Sequence, residues 1–154
     1  MGRTLGHWMR SNGTRADGPA RHAYEEHIGE LRLRIEAATI EGIFAEAAHA
    51  LRELFVPGGL DAGARGVDET IHVEAPDLER LLAAWLDEII FRTETEHRVF
   101  TTFQFDRLTD REVSARAFAL EADSIRTIVK AATLHDLHIK QGSHGLSASV
   151  VLDV

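Results

Sequence analysis

Two acid-bearing segments at opposite ends of the chain hold the residues best suited to chemistry. One is Glu25-Glu26-His27-Ile28-Gly29-Glu30; the other is Asp153-Val154, where the sequence stops. An aspartate one residue before a free C-terminus would put two negative groups at one spot, which favours a hard cation. Calcium takes about six to eight oxygen ligands, and magnesium also prefers oxygen. A cationic side chain could fill the same role, and Lys130 is the candidate. It falls opposite to the apolar row Val129, Ala131, Leu137 and Ile139. Glu30 likewise shares the parity of Arg32 and Arg34, and Asp153 that of Ser147 and Ser149. Successive strand residues point to opposite faces, so this alternation predicts Glu30, Lys130 and Asp153 on the outer face of one sheet. With the carboxylate of Val154 and water, the acids form a candidate cation site. The plain alternative is a set of solvated strand ends.

Other chemistries lack their usual signatures. Of the nine histidines, His7 and His22 fall near the start, His49 and His97 beside helices, His72 on a strand's polar face and His144 in a turn. No H-x-x-x-H pair occurs, and strand parity puts His135 and His138 on opposite faces, so no histidine zinc set is predicted. A phosphate-binding G-x-x-x-x-G-K-[ST] loop, a G-x-S-x-G elbow and a strand-linked G-x-G-x-x-G are also missing, which argues against an enzyme. The chain has no cysteine. That removes thiolate metal sites and cysteine nucleophiles, and it suits the reducing cytoplasm expected for this protein.

Charge narrows the partners further. The net charge is −8, yet residues 1–23 carry four arginines against Asp17, so the remaining chain carries −11. Sequence-independent affinity for nucleic acid comes from Lys and Arg neutralising phosphates, so a body this acidic is expected to reach RNA only indirectly. No apolar run approaches the roughly 18 residues of a membrane span. Residues 1–23 contain Gly2, Gly6, Gly13, Gly18 and Pro19 without a sustained period, which predicts a flexible N-terminal tail before a single domain over 24–154.

The elements that must position these groups follow from periodicity. Leu31, Leu33, Ile35 and Ala37 alternate with charged residues as in a half-buried strand. Thr39 is placed to cap a helix carrying Ile40, Ile43, Phe44, Ala47, Leu51, Leu54 and Phe55, which Pro57-Gly58-Gly59 ends. Val67, Ile71, Val73 and Ala75 give a second strand. Asp77 then caps a second helix with Leu78, Leu81, Leu82, Trp85, Leu86, Ile89 and Ile90 on one stripe. Trp85 is expected in the core. Two strands follow at about 99–107 and 112–120, turning at Thr109-Asp110, then a loop over 121–127. A terminal pair at about 129–139 and 146–152 turns at Gln141-Gly142-Ser143-His144-Gly145. The order β-α-β-α-β-β-β-β predicts an α+β domain with two helices on one face of a largely antiparallel sheet.

At these segments the chain resembles the archeases, small proteins that assist the RtcB-type RNA ligase. Tyr24-Glu25-Glu26-His27-Ile28-Gly29-Glu30 stands where that family has a tyrosine and an Asp-His-Thr-Ala-Asp block, with Glu26 and Glu30 replacing its aspartates and Ile28 and Gly29 its threonine and alanine. Residues 77–91 resemble its aspartate-capped Trp-Leu-Asn-Glu helix. Val129-Lys130-Ala131-Ala132-Thr133-Leu134-His135 resembles Val-Lys-Ala-Val-Thr-Tyr-His, with Leu134 for the tyrosine and Ile128 for the glutamate usual before it. Val150-Val151-Leu152-Asp153-Val154 matches the aspartate-bearing terminus.

The resemblance covers about residues 24–154 and implies a protein without catalysis of its own. It implies a divalent cation, calcium first, held by Glu30, Asp153 and Val154, and a functional lysine at Lys130. Glu30, Lys130 and Asp153 would form the working surface toward an RtcB-type ligase, which carries guanylate on a histidine and acts in tRNA splicing, tRNA processing and RNA repair. The alternatives are a small ligand-binding or chaperone-like module on the same fold, and a cation-dependent hydrolase using the same carboxylates.

Overall fold

In the computed structural model, residues 20–61, 63–126 and 128–154 are described. Strand β1 (Arg21–His27) and strand β2 (Glu30–Ala37) form a hairpin; helix α1 (Ile40–Phe55), strand β3 (Gly66–Glu74) and helix α2 (Leu78–Glu96) follow. Strands β4 (Arg98–Leu108), β5 (Glu112–Glu121), β6 (Ala131–Gly142) and β7 (Gly145–Asp153) complete the chain. The expected elements are all present, with both caps as predicted. Thr39 Oγ1 accepts from the Gly42 N–H at 3.0 Å and Asp77 Oδ1 from the Arg80 N–H at 2.8 Å, each satisfying an amide that the first helical turn leaves without a partner.

One strand was not foreseen. β1 begins at Arg21, so Arg21, His22 and Ala23 belong to the fold and not to the tail expected over 1–23; residues 1–19 lie outside the described residues. Its sequence, RHAYEEH, has too little apolar alternation to read as a strand. It forms by pairing with β2, and Gly29, at φ 73°, makes the turn between them. A positive φ is cheap only for residues such as glycine.

The second difference is in the sheets. The strands divide between two antiparallel sheets, ordered β1-β2-β7-β6 and β3-β5-β4, instead of forming one. Helix α1 packs on β1, β2 and β7 of the first sheet and on β4 of the second, while α2 packs on β6 and on β3, β4 and β5. The helix pair therefore joins the sheets, and a single core runs through all of them: Leu33 and Val150, Phe44 and Leu51, Leu82 and Trp85, Ile71 and Ala115 are buried in one cluster. Trp85 lies in that core as expected, its indole N–H donating to the Phe44 carbonyl at 3.0 Å and its ring 5.3 Å from that of Phe103.

Candidate functional site

β7 is the strand that assembles the predicted residues. It runs between β2 and β6, and its last residue, Asp153, is paired with Glu30 on one side and Ala131 on the other. Residues directly opposite in an antiparallel pair share a face, so the Glu30 and Asp153 carboxylates lie on one side of the sheet. The Lys130 N–H donates to the Asp153 carbonyl at 2.8 Å, and the Val154 N–H to the Gly29 carbonyl at 3.2 Å. All four residues thus meet where the β1–β2 turn, the start of β6 and the end of β7 converge.

The arrangement differs in detail from an outer-face cluster. Glu30, Lys130 and Val154 line a cleft of about 640 Å³ together with core-facing Leu31, with Leu54 from α1 and with Ile128. The cleft opens at the sheet's end, and Asp153 stands exposed beside it. The outer face of β7 is itself closed over: Ser149 and Val151 are buried, and Arg32 lies across that face, donating to Ser149 Oγ at 3.2 Å and to Asp136 at 3.3 Å. Parity counting in β6 also breaks down, because the β6–β7 register shifts between Thr133 and His138, where Asp136 takes φ 53°. Before that irregularity Ala131 pairs with outer-facing Asp153 and Ala132 with core-facing Leu152, so Lys130, exposed at the cleft, has the parity of the inner face and not of the outer face expected for it.

The donor set fits a hard cation. Two side-chain carboxylates and the main-chain oxygen of Val154 are all oxygen ligands, as calcium prefers. Holding two carboxylates on one face of adjacent strands is unfavourable without a positive partner. Lys130 and Arg126 both line the cleft that Glu30 borders, which brings positive side chains to the same end of the sheet.

Sequence reasoning missed the polar groups behind this cleft. Tyr24 and Glu53 line it, and the Tyr24 hydroxyl lies within hydrogen-bond distance of the Ala50 carbonyl at 2.9 Å and of Glu53 at 3.0 Å. Glu53 in turn meets His22 Nε2 at 2.8 Å, and His22 Nδ1 meets Glu46 at 2.5 Å. His22 is buried. Burial opposes its charged form, but the bonds and charges of Glu46 and Glu53 outweigh that and raise its pKa. Burial pushes the Glu46 carboxyl up, yet hydrogen bonds from His22 and His49 prevail and bring it down to about 2. The one visible signal was that Tyr24 is the chain's single tyrosine.

The profile of the Archease protein family matches residues 22–154. The chain belongs to the archease family. It is 30% identical over 136 residues to the protein archease of Methanopyrus kandleri, spanning 84% of this chain and 96% of that one. To the protein archease of Methanosarcina mazei it is 26% identical over 142 residues, spanning 87% and 96%. The solution structure of Methanobacterium thermoautotrophicum protein 1598 superposes with a TM-score of 0.65 at 24% identity, covering 85% of this chain and 96% of that one. This last likeness supports the fold: an α+β archease arrangement of two helices and antiparallel sheets. Among the described residues, no helix is long and apolar enough to cross a membrane.

Proposed function

We propose that this protein is a non-catalytic partner of an RtcB-type RNA ligase in the cytoplasm, promoting guanylylation of the ligase and its repeated turnover in tRNA splicing and RNA repair. The observation that carries the reading is the convergence, in an archease-family chain, of Glu30 and Asp153 across β2 and β7 with Lys130 tied to the Asp153 main chain. Glu30, Asp153 and Val154 would hold a divalent cation, calcium first, which when bound supplies the positive charge that lets the carboxylates stay close. The chain's own residues do the remaining work. Lys130 presents an exposed point charge at the rim, suited to a phosphate-bearing or acidic surface on the partner. The hydrogen bond from its N–H to Asp153 keeps that rim in register with the carboxylates. The acidic body disfavours direct phosphate contact, so RNA is met through the ligase.

A second reading rests on the cleft itself. Its volume of about 640 Å³ and its mixed lining of Tyr24, Glu53, Leu54 and Ile128 suit a small ligand, as a ligand-binding module would require.

The test is guanylate transfer to an RtcB-type ligase with and without this protein. Lys130→Ala should change stability by no more than about 0.5 kcal/mol, as usual for an exposed site, and should lose the stimulation. Asp153→Asn should lose the calcium-dependent rise in melting temperature, which for a ligand at a hundredfold its Kd corresponds to about 2.7 kcal/mol. Full stimulation by a stable Lys130→Ala protein would place the working surface elsewhere, and an undiminished calcium response in Asp153→Asn would remove the cation assignment. Cation-stimulated turnover by the isolated protein would favour the hydrolase alternative.

A further inference from the structure

The three-stranded sheet carries a second set of converging groups, with a different chemistry. His72 and Glu74 stand two residues apart on β3, so both project from one face. The register sets Glu112 opposite Glu74 and Ser114 opposite His72 on β5, which brings all four to that face. His72 Nε2 lies 3.2 Å from Glu74 Oε2 and 3.7 Å from Glu112 Oε2. The three ligand atoms all lie within 4.8 Å of one another. Tetrahedral zinc has bonds of about 2.0 to 2.2 Å to nitrogen and oxygen, which separates its ligands by about 3.4 Å. The two His72 distances bracket that edge length.

The neighbouring groups orient the set. His72 Nδ1 is hydrogen-bonded to Ser114 Oγ at 2.6 Å, which fixes the ring so that Nε2 faces the two carboxylates, donating to Glu74 Oε2 at 3.2 Å; a metal ion would take the place of that proton while Ser114 accepts from Nδ1. Arg107 Nε donates to Glu112 Oε1 at 2.6 Å, so that carboxylate is held from behind by one oxygen while Oε2 faces His72. The three residues come from adjacent strands joined by backbone hydrogen bonds, and the site is open to solvent.

We propose that His72, Glu74 and Glu112 form a site for a divalent transition metal, zinc foremost, with water in the remaining position. One imidazole nitrogen with two carboxylates suits zinc, copper or nickel, whereas calcium and magnesium call for oxygen ligands alone. The site is therefore distinct in both place and chemistry from the oxygen set at Glu30 and Asp153. Three protein ligands also leave a coordination position free, so the ion can exchange water for an added ligand.

Calorimetric titration of the full chain with zinc tests this, with calcium titrated in parallel and circular dichroism confirming the fold of each variant. The expected result is a one-to-one zinc site that weakens at least tenfold in His72→Ala and in the double variant Glu74→Gln/Glu112→Gln, while Asp153→Asn keeps it. Cobalt should give the visible absorption of a tetrahedral ion, lost in His72→Ala. Zinc affinity unchanged in both His72→Ala and the carboxylate variant would overturn the assignment. So would the absence of a one-to-one zinc event in the unmodified protein, which would leave the three groups as histidine–carboxylate ion pairs only.

Discussion

His22 is held between Glu46 and Glu53 at 2.5 and 2.8 Å in a site closed to solvent on the imidazole side. Breaking such a pair by removing one partner costs about 3 to 5 kcal/mol, because the other charge stays buried. The two titrations bound the pH range in which the contact contributes. The folded His22 pKa is raised above 6.5, so its contribution is complete below pH 6.5 and is lost as pH rises through the raised value. The folded Glu46 pKa is lowered from 4.5 to about 2, so its contribution is present above pH 4.5 and is lost as pH falls toward 2. Denaturation midpoints measured against pH should therefore peak between about 4.5 and 6.5. His22→Gln should lose about 3 kcal/mol at pH 5.5 and should show no alkaline decline from this site. An unchanged pH profile in that variant would show that the cluster contributes no differential protonation. Because Glu53 and Tyr24 continue from His22 to the cleft wall, the same substitution reports on how firmly that wall is set.

At the scale of elements, the junction between β2 and α1 fixes how the first sheet meets its helix. Gly42 lies in the first turn of α1, and a Cβ placed there would sit 2.8 Å from the Ala37 Cβ at the end of β2. Alanine normally stabilises an exposed helix position by about 1 kcal/mol over glycine. Here the neighbouring atom is itself a Cβ fixed to the backbone, so the strand or helix would have to shift. Gly42→Ala should therefore destabilise the protein by about 1 to 3 kcal/mol, read as a lower urea midpoint. A stabilised variant would mean that the junction is looser than this contact implies. Element boundaries also depart from pattern where packing takes over. α2 runs to Glu96, beyond the last predicted apolar residue at Ile90, because buried Thr93 still faces the core and His97, at φ 55°, provides the turn out of the helix.

Across the whole molecule, the two helices are what both sheets hold in common. Trp85 touches Phe44 of α1 and Phe103 and Phe105 of β4, with ring centroids 5.3 to 5.9 Å apart, while Leu33 and Val150 of the other sheet join the same core. A core shared in this way predicts one cooperative transition. In a Trp8→Phe background, the fluorescence of Trp85 and far-ultraviolet circular dichroism should give superimposable denaturation curves. Separate midpoints would mean that the sheets unfold independently.

What the sequence by itself determined was local. The period-two row from Leu31 to Ala37, the stripe from Leu78 to Ile90 and the caps at Thr39 and Asp77 each state their structure within a few residues, because burial of one face and satisfaction of terminal amides are local requirements. The core position of Trp85 followed from the same helical stripe, whereas the face of Lys130 did not follow from counting back along β6, because the irregularity between Thr133 and His138 reverses the alternation. Which strands become neighbours is not a local property. That β2 pairs with β7, setting Glu30 opposite Asp153, and that β3 pairs with β5, setting Glu74 opposite Glu112, depends on contacts between residues far apart in the chain. β1 exists only because β2 offers it a free edge, so His22 and the carboxylates around it came into view only with the tertiary structure. The division into two sheets has the same origin, since a helix with a wide apolar face can cover one sheet or join two, and only packing decides between them.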